Sequence, residues 1–124
     1  MNSPIQKKEY KFKGSDKKLI TADLTYTCYQ DEVPIVVFAH GFKGFKDWGA
    51  WPLAAEIFAV KGLPFFKFNF SHNGTSPENL SKFVDLESFG NNNFKKELDD
   101  LGSVIDFISR KAPSFDFDWN GDIC

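Results

Sequence analysis

The run Ile35-Val36-Val37-Phe38-Ala39 contains no polar residue and leads directly into His40-Gly41. A strand with no polar side has both faces covered, which points to a parallel sheet flanked by helices and not to a half-solvated antiparallel one. At the C-terminal edge of such a sheet the chain leaves the ladder, and ligands bind there. A glycine at that place lets the backbone bend, so that the next N–H, that of Phe42, points into a cleft instead of pairing in the sheet. An N–H held in this way is a donor for a developing oxyanion.

The flanking sequence fills in the rest of an α/β domain. Residues 18 to 29 alternate, with Ile20, Ala22, Leu24, Tyr26 and Cys28 on one face and Thr21, Asp23, Thr25 and Thr27 on the other, which predicts a half-buried antiparallel strand. Before it, Tyr10 and Phe12 alternate with Lys11 and Lys13, and Gly14-Ser15-Asp16 makes a turn, so the chain opens with a β-hairpin. A helix is expected from about residue 50 to 61, with Pro52 in its first turn and Leu53, Ala54, Ile57 and Phe58 on its buried stripe, stopped by Gly62 and Pro64. Phe65 to Phe70 reads as a second buried strand, which closes a right-handed βαβ unit. After a long loop, residues 94 to 110 carry Phe94, Leu98, Leu101, Ile105 and Ile108 at helical spacing, with Arg110 and Lys111 at the end that favours cations. Asp122-Ile123-Cys124 has the look of a strand beginning.

Composition narrows the function classes. The chain has 124 residues, 42% of them hydrophobic and fifteen of them Phe, which suits a single packed domain. A formal net charge of −2 and a pI near 5.6 give no basic surface for nucleic acid. The start MNSPIQKKEYKFKG has no apolar leader, and no stretch approaches the roughly 20 apolar residues of a membrane helix, so the expected partners exclude membranes and the expected address is cytoplasmic. Cys28 and Cys124 lack metal-ligand spacing and are read as free thiols.

Strand, His40-Gly41-Phe42, the loop KGFKDWG, a helix and then FKFNFSHNGTS together resemble the α/β-hydrolase superfamily, most closely its dienelactone-hydrolase and serine-aminopeptidase-like branch. The resemblance covers essentially the whole chain and implies the N-terminal half of the family's sheet. It also implies that the Phe42 N–H is the first oxyanion donor, that His40 and Gly41 shape its loop, and that His40 braces the turn rather than transferring a proton. The implied substrate is a small-molecule ester or amide, with no cofactor and no metal. Residues 69 to 76 match the family's pattern at this strand end only at Gly74 and Ser76, and Asn69, Ser71 and His72 depart from it.

The family's G-x-S-x-G elbow, acid and histidine are not in these residues. Gly74-Thr75-Ser76-Pro77-Glu78 lacks the second glycine, and Pro77 has no N–H to donate. Ser71 beside His72 is discounted because neighbours on an extended chain face opposite ways and no third group orients them. Asp99 with Asp100 and Asp116 with Asp118 read as solvated acids, Lys43 and Lys46 as a weak phosphate signal, and Trp48 and Trp51 as packing residues.

The resemblance therefore implies one incomplete domain, residues 1–124, ending before the strand that leads to the nucleophile. With sheet order 1-2-4-3-5, the fifth strand would pair with Ile35–Ala39, and its lack would leave an apolar edge open to self-association. The expected function is that of an N-terminal portion of a serine hydrolase, inactive alone. The alternative is a non-catalytic module that binds a partner through the open edge. An Asp nucleophile, as in dehalogenase relatives, stays open because the elbow is unseen.

Overall fold

A computed structural model describes residues 4–124; residues 1–3, the start of the stretch read above as lacking an apolar leader, lie outside it. Two long strands, β1 (Ile5–Lys13) and β2 (Leu19–Thr27), form the expected hairpin around a one-turn 3-10 helix at Ser15–Lys17. Next come β3 (Val33–Ala39), α1 (Trp51–Val60) and β4 (Phe65–Asn69). A short helix α2 (Leu86–Gly90), the long helix α3 (Phe94–Lys111) and a fifth strand β5 (Trp119–Ile123) complete the chain. Strand order is β1-β2-β4-β3-β5, with β2 antiparallel to β4 and β3 parallel to both β4 and β5. This is the order the resemblance implies.

The sheet extends further than the sequence suggested. Trp119-Asn120-Gly121 reads as polar turn chemistry, so only Asp122–Cys124 looked like a strand. In the fold β5 lies along β3 in the position expected to be empty, with Val33 N–H donating to Asp118 O (2.9 Å), Cys124 N–H to Ile35 O (3.0 Å) and Val37 N–H to Cys124 O (2.9 Å). Asp122 N–H donates to Asn120 Oδ1 and Asp122 O accepts from Trp119 Nε1, both at 2.8 Å, which closes the irregular stretch of β5 that lies opposite Val33–Ile35. The flat open edge on Ile35–Ala39 is thus covered as far as Val37.

Strand β2 also differs from expectation. Its apolar face, Ile20, Ala22, Leu24 and Tyr26, joins Val104, Phe107 and Ile108 of α3 in the core. The polar face is buried too: Thr21, Asp23, Thr25 and Thr27 all lie under α1 and the loop before it, with Thr27 Oγ1 donating to Ala59 O. Alternation predicted water on that side, but buried polar groups with partners satisfy the same pattern.

Both long helices are rotated from the stripes that hydrophobic periodicity picked. On α1 the small residues Ala55 and Ala59 face the sheet and allow close approach, while Leu53 and Ile57 are exposed. On α3 the buried stripe is Asp100, Val104, Phe107 and Ile108, and Phe94 and Leu98 are exposed. Asp100 sets that rotation. Although it was read as solvated, it is fully buried, accepting from the backbone N–H of Ser15 (2.7 Å) and of Ser71 (2.8 Å) and so tying α3 to the hairpin turn and the end of β4. Asp99 does face solvent, where it pairs with Lys95.

Gly14 lies where these pieces meet. A Cβ there would come within 2.5 Å of Asp100 Oδ1 and 2.6 Å of the Ile20 side chain. Gly14→Ala should therefore cost about 1–3 kcal/mol through overpacking alone, since the backbone at Gly14 is not left-handed. Urea unfolding of the variant against the parent chain measures this, and an unchanged midpoint would show that the turn can shift away from Asp100.

Candidate active site

Strand β3 delivers His40, Gly41 and Phe42 together to the C-terminal edge of the sheet. His40 is buried at 7% exposure, with Nε2 3.1 Å from Phe70 N and Nδ1 2.9 Å from Gly41 O. A backbone N–H can only donate, so Nε2 is the acceptor, and Nδ1 carries the proton that it gives to Gly41 O. Burial pushes the His40 pKa down, and the Gly41 carbonyl opposes this only in part. Both ring nitrogens are committed to backbone, which makes the imidazole a brace between β3 and the end of β4 and leaves no lone pair for proton transfer. Asn73 Nδ2 sits near the same nitrogen, at 3.3 Å.

Gly44 N–H closes a turn onto Gly41 O at 2.9 Å, with Phe42 and Lys43 at its corners and Lys43 at φ 61°. A positive φ at the third residue marks a type II turn. The Phe42 N–H has no hydrogen-bond acceptor among the described residues. Its ring is 85% exposed and lies 5.8 Å from that of Phe89. The need for glycine falls on Gly44, where a Cβ would meet Gly41 O at 2.8 Å, while the space over Gly41 is open.

The loop after β4 brings together a group that the sequence argument had dismissed. Ser71 Oγ is 2.7 Å from His72 Nδ1 and 2.8 and 3.0 Å from the two oxygens of Asp100, and His72 Nε2 is 3.7 Å from Asp16. Neighbours do meet here, because β4 ends at Asn69 and the chain turns at Ser71. The arrangement is nevertheless not a nucleophile. In a triad the histidine stands between serine and acid and takes the serine proton. Here the acid bonds the serine directly, so the hydroxyl proton goes to Asp100 and Nδ1–H of His72 donates to Oγ. Ser71 is also only 2% exposed. Ser76 is engaged in a backbone bridge with Asn79, and Asp116 lies at the opposite end of the sheet with Tyr26 and Lys8.

Sequence reasoning missed a buried ring of charges beneath the Gly41–Gly49 loop. Asp23 on β2 is the cross-strand partner of Lys67 on β4. Lys67 Nζ donates to Asp23 (2.8 Å) and Asp47 (2.6 Å), and Lys46 Nζ to Asp23 (2.6 Å) and Asp47 (2.7 Å). Both lysines are 1% exposed and Asp23 is 0% exposed. Burial would depress the Lys46 ammonium, but its bonds to Asp23 and Asp47 outweigh that and raise it. Burial would likewise raise the Asp47 carboxyl, but the two lysines hold it below the ordinary range. The available signals were Asp23 in the middle of a strand and Lys67 inside an otherwise aromatic one.

No protein-family profile matches this sequence, and a search of curated proteins finds no match either. Solved structures do match. Brefeldin A esterase, a bacterial homologue of human hormone sensitive lipase, superimposes with a TM-score of 0.67 at 14% identity over 93% of this chain and 30% of its own. A cold-adapted esterase from an Arctic intertidal metagenomic library gives 0.66 at 12% identity over 93% and 49%. A hypothetical protein from Pseudomonas aeruginosa gives 0.60 at 21% identity over 85% and 30%. This is the α/β-hydrolase fold. The chain spans about a third to a half of the length of these neighbours. No helix among the described residues is long and apolar enough to cross a membrane.

The geometry of His40 fixes a pH dependence. Its folded pKa lies below the ordinary 6.5, so the unfolded chain binds the proton first. Stability from this group is complete above about pH 6.5 and is lost as pH falls towards the folded pKa, at most about 1.4 kcal/mol per pH unit. His40→Gln should remove that component, so between about pH 6.5 and pH 5.5 the parent chain loses more unfolding free energy than the variant. Urea titrations at the two pH values measure the difference, and equal losses would contradict a neutral, buried His40.

Proposed function

We propose that this chain is the N-terminal portion of a serine hydrolase that cleaves small-molecule esters or amides in the cytoplasm. In this reading the Phe42 N–H is the first oxyanion donor, Gly41 leaves room for the substrate carbonyl, and His40 holds the turn. Attack by a serine on the carbonyl carbon places negative charge on the carbonyl oxygen, and two N–H groups receive it, that of Phe42 and that of the residue after the nucleophile. The nucleophile, its base and the orienting acid are not among these residues, so the chain by itself turns over no substrate. The observation that carries the reading is the unused Phe42 N–H at the C-terminal end of β3, in a fold shared with esterases. The alternative of a module that pairs through an open edge on Ile35–Ala39 loses support from the covering of β3 by β5 as far as Val37.

The test starts with the coding sequence beyond Cys124 and a protein that carries a nucleophile elbow. In that protein Phe42→Pro keeps the turn, because proline suits the second residue of a type II turn, and removes the N–H together with the phenyl ring, the latter loss being shared with Phe42→Ala. It should lower kcat on p-nitrophenyl esters by about 10²–10³-fold, whereas Phe42→Ala keeps the donor and most of the activity. The 124-residue chain should take no label from a fluorophosphonate probe. An unaffected kcat in Phe42→Pro, or labelling of the short chain, would sink the reading.

A further inference from the structure

The loop that carries Phe42 has little to hold it. Its internal hydrogen bonds are local, from Gly44 N–H to Gly41 O and from Trp48 N–H to Phe45 O. His40 anchors its entry, and Asn73 Nδ2 reaches Gly44 O only at 3.4 Å. Segments with few buried contacts open at low free energy. A donor that must meet an oxyanion without rearranging needs a fixed position.

Phe42 and Phe45 add ring contacts to Phe89 and Phe83, at 5.8 and 6.2 Å between centres, and the ring of charges supplies the polar connections to the sheet. Two of its members, Asp23 and Lys67, belong to paired strands; the other two, Lys46 and Asp47, belong to the loop. Around the ring each ammonium meets both carboxylates at 2.6–2.8 Å, so each loop charge is tied to a sheet charge of opposite sign. The loop backbone is tied in the same place, with Lys46 N–H donating to Asn69 Oδ1 at 2.7 Å. Lys46 points inward and is 1% exposed, while Phe42 in the same loop is 85% exposed. A lone ammonium in that position would carry an uncompensated desolvation cost, so the loop side chain is held wherever both carboxylates can reach it.

We propose that Asp23, Lys46, Asp47 and Lys67 are positioning residues: a closed ionic clamp that fixes the Gly41–Gly49 loop on the sheet and so sets where the Phe42 N–H points. The clamp's link to catalysis rests on the reading of Phe42 as an oxyanion donor. Its effect on the loop does not. The four residues touch no reacting atom and act through the loop backbone.

Amide hydrogen exchange by NMR on the 124-residue chain tests this, with Asp47→Asn and Asp47→Glu beside the parent. Asp47 is the ring member nearest solvent, with 21% side-chain exposure, and its loss leaves Lys67 paired with Asp23. The expected result is about tenfold or greater loss of protection at the Gly44, Lys46 and Trp48 amides in Asp47→Asn, with Leu24 and Phe66 unchanged and most protection restored in Asp47→Glu. Unchanged loop exchange, or a loss spread evenly through the sheet, would overturn the clamp. Should Asp47→Asn fail to fold, acid titration of the parent chain decides the matter. The Lys46 and Gly44 amide shifts should follow the Asp47 carboxyl with one midpoint below the ordinary carboxylate range, while Leu24 does not; loop shifts that ignore Asp47 refute the proposal. None of these measurements reads turnover, so failure of the hydrolase reading shows up separately, as an unaffected Phe42→Pro enzyme.

Discussion

Asp23 occupies the centre of a strand that is covered on both sides, and its charge is answered from within the fold by two lysines on Oδ2, while its Oδ1 has no partner among the described residues. Strand β2 lies between β1 and β4, with α3 over one face and α1 over the other, so from Ile20 onward neither row of its side chains reaches water. On the α3 side this is ordinary apolar packing. On the α1 side each polar residue needs a partner, because a buried group without one costs roughly 1–3 kcal/mol and a lone charge more. The fold supplies them: Asn69 for Thr21, the Ala59 carbonyl for Thr27, and two lysines for Asp23. Meeting Asp23 requires Lys46, and Lys46 comes with the loop that also bears Phe42. One buried carboxylate thereby connects strand pairing to the geometry of the sheet's C-terminal edge.

Asp100 does the corresponding work on the other face. Its carboxylate gathers N–H groups from the hairpin turn and the end of β4, and Ser71 Oγ as well. These are bonds between segments distant in sequence, so α3 is fixed in rotation as well as in position. The exposed Phe94 and Leu98 follow from this. They lie on the side that hydrophobic periodicity would bury, and the carboxylate turns them outward. Ser71, His72 and Asp100 also show why proximity of triad residue types carries no catalytic meaning by itself. Ser71 Oγ is buried, with its proton directed at Asp100 and a lone pair taken by His72, so no substrate reaches it, and a histidine donating to that hydroxyl has no base to offer it.

These two carboxylates divide what was legible in the sequence from what was not. Ile35–Ala39, the Tyr10–Phe12 hairpin strand, the α1 breakers Gly62 and Pro64, and the extent of α3 were readable because local apolar pattern and turn residues determine them. The placing of His40, Gly41 and Phe42 at a strand end followed from the same pattern. The orientation of each helix was not readable, since it depends on contacts distant in sequence, such as Ser15 to Asp100 for α3 and Thr27 to Ala59 for α1. The first three residues of β5 were missed for a related reason: Trp119-Asn120-Gly121 has turn chemistry, and its strand character comes from pairing with β3. The charged ring was invisible because each member has a bland local reading, and only the register of β2 against β4 brings Asp23 opposite Lys67.

On the proposed reading of Phe42 as an oxyanion donor, the Gly41–Gly49 loop faces two demands that oppose each other. Its N–H must stay out of the backbone ladder, or it has nothing to offer a substrate, yet a backbone outside the ladder loses the interactions that normally hold it still. Within their interiors helix and sheet cannot meet both, because each consumes the N–H it fixes, and no helix begins at Phe42 to leave a first-turn N–H free. Side chains can. His40 holds the entry through its ring nitrogens, Asn69 takes the Lys46 N–H, and the ionic ring fastens Lys46 and Asp47, while the Phe42 N–H is left unused. Charges suit this task better than apolar contacts here, since an apolar anchor in the loop would have to face the threonines and Asp23 of β2. The polar face of β2 that first looked like a solvated surface is therefore what allows an irregular loop to be both unpaired and fixed.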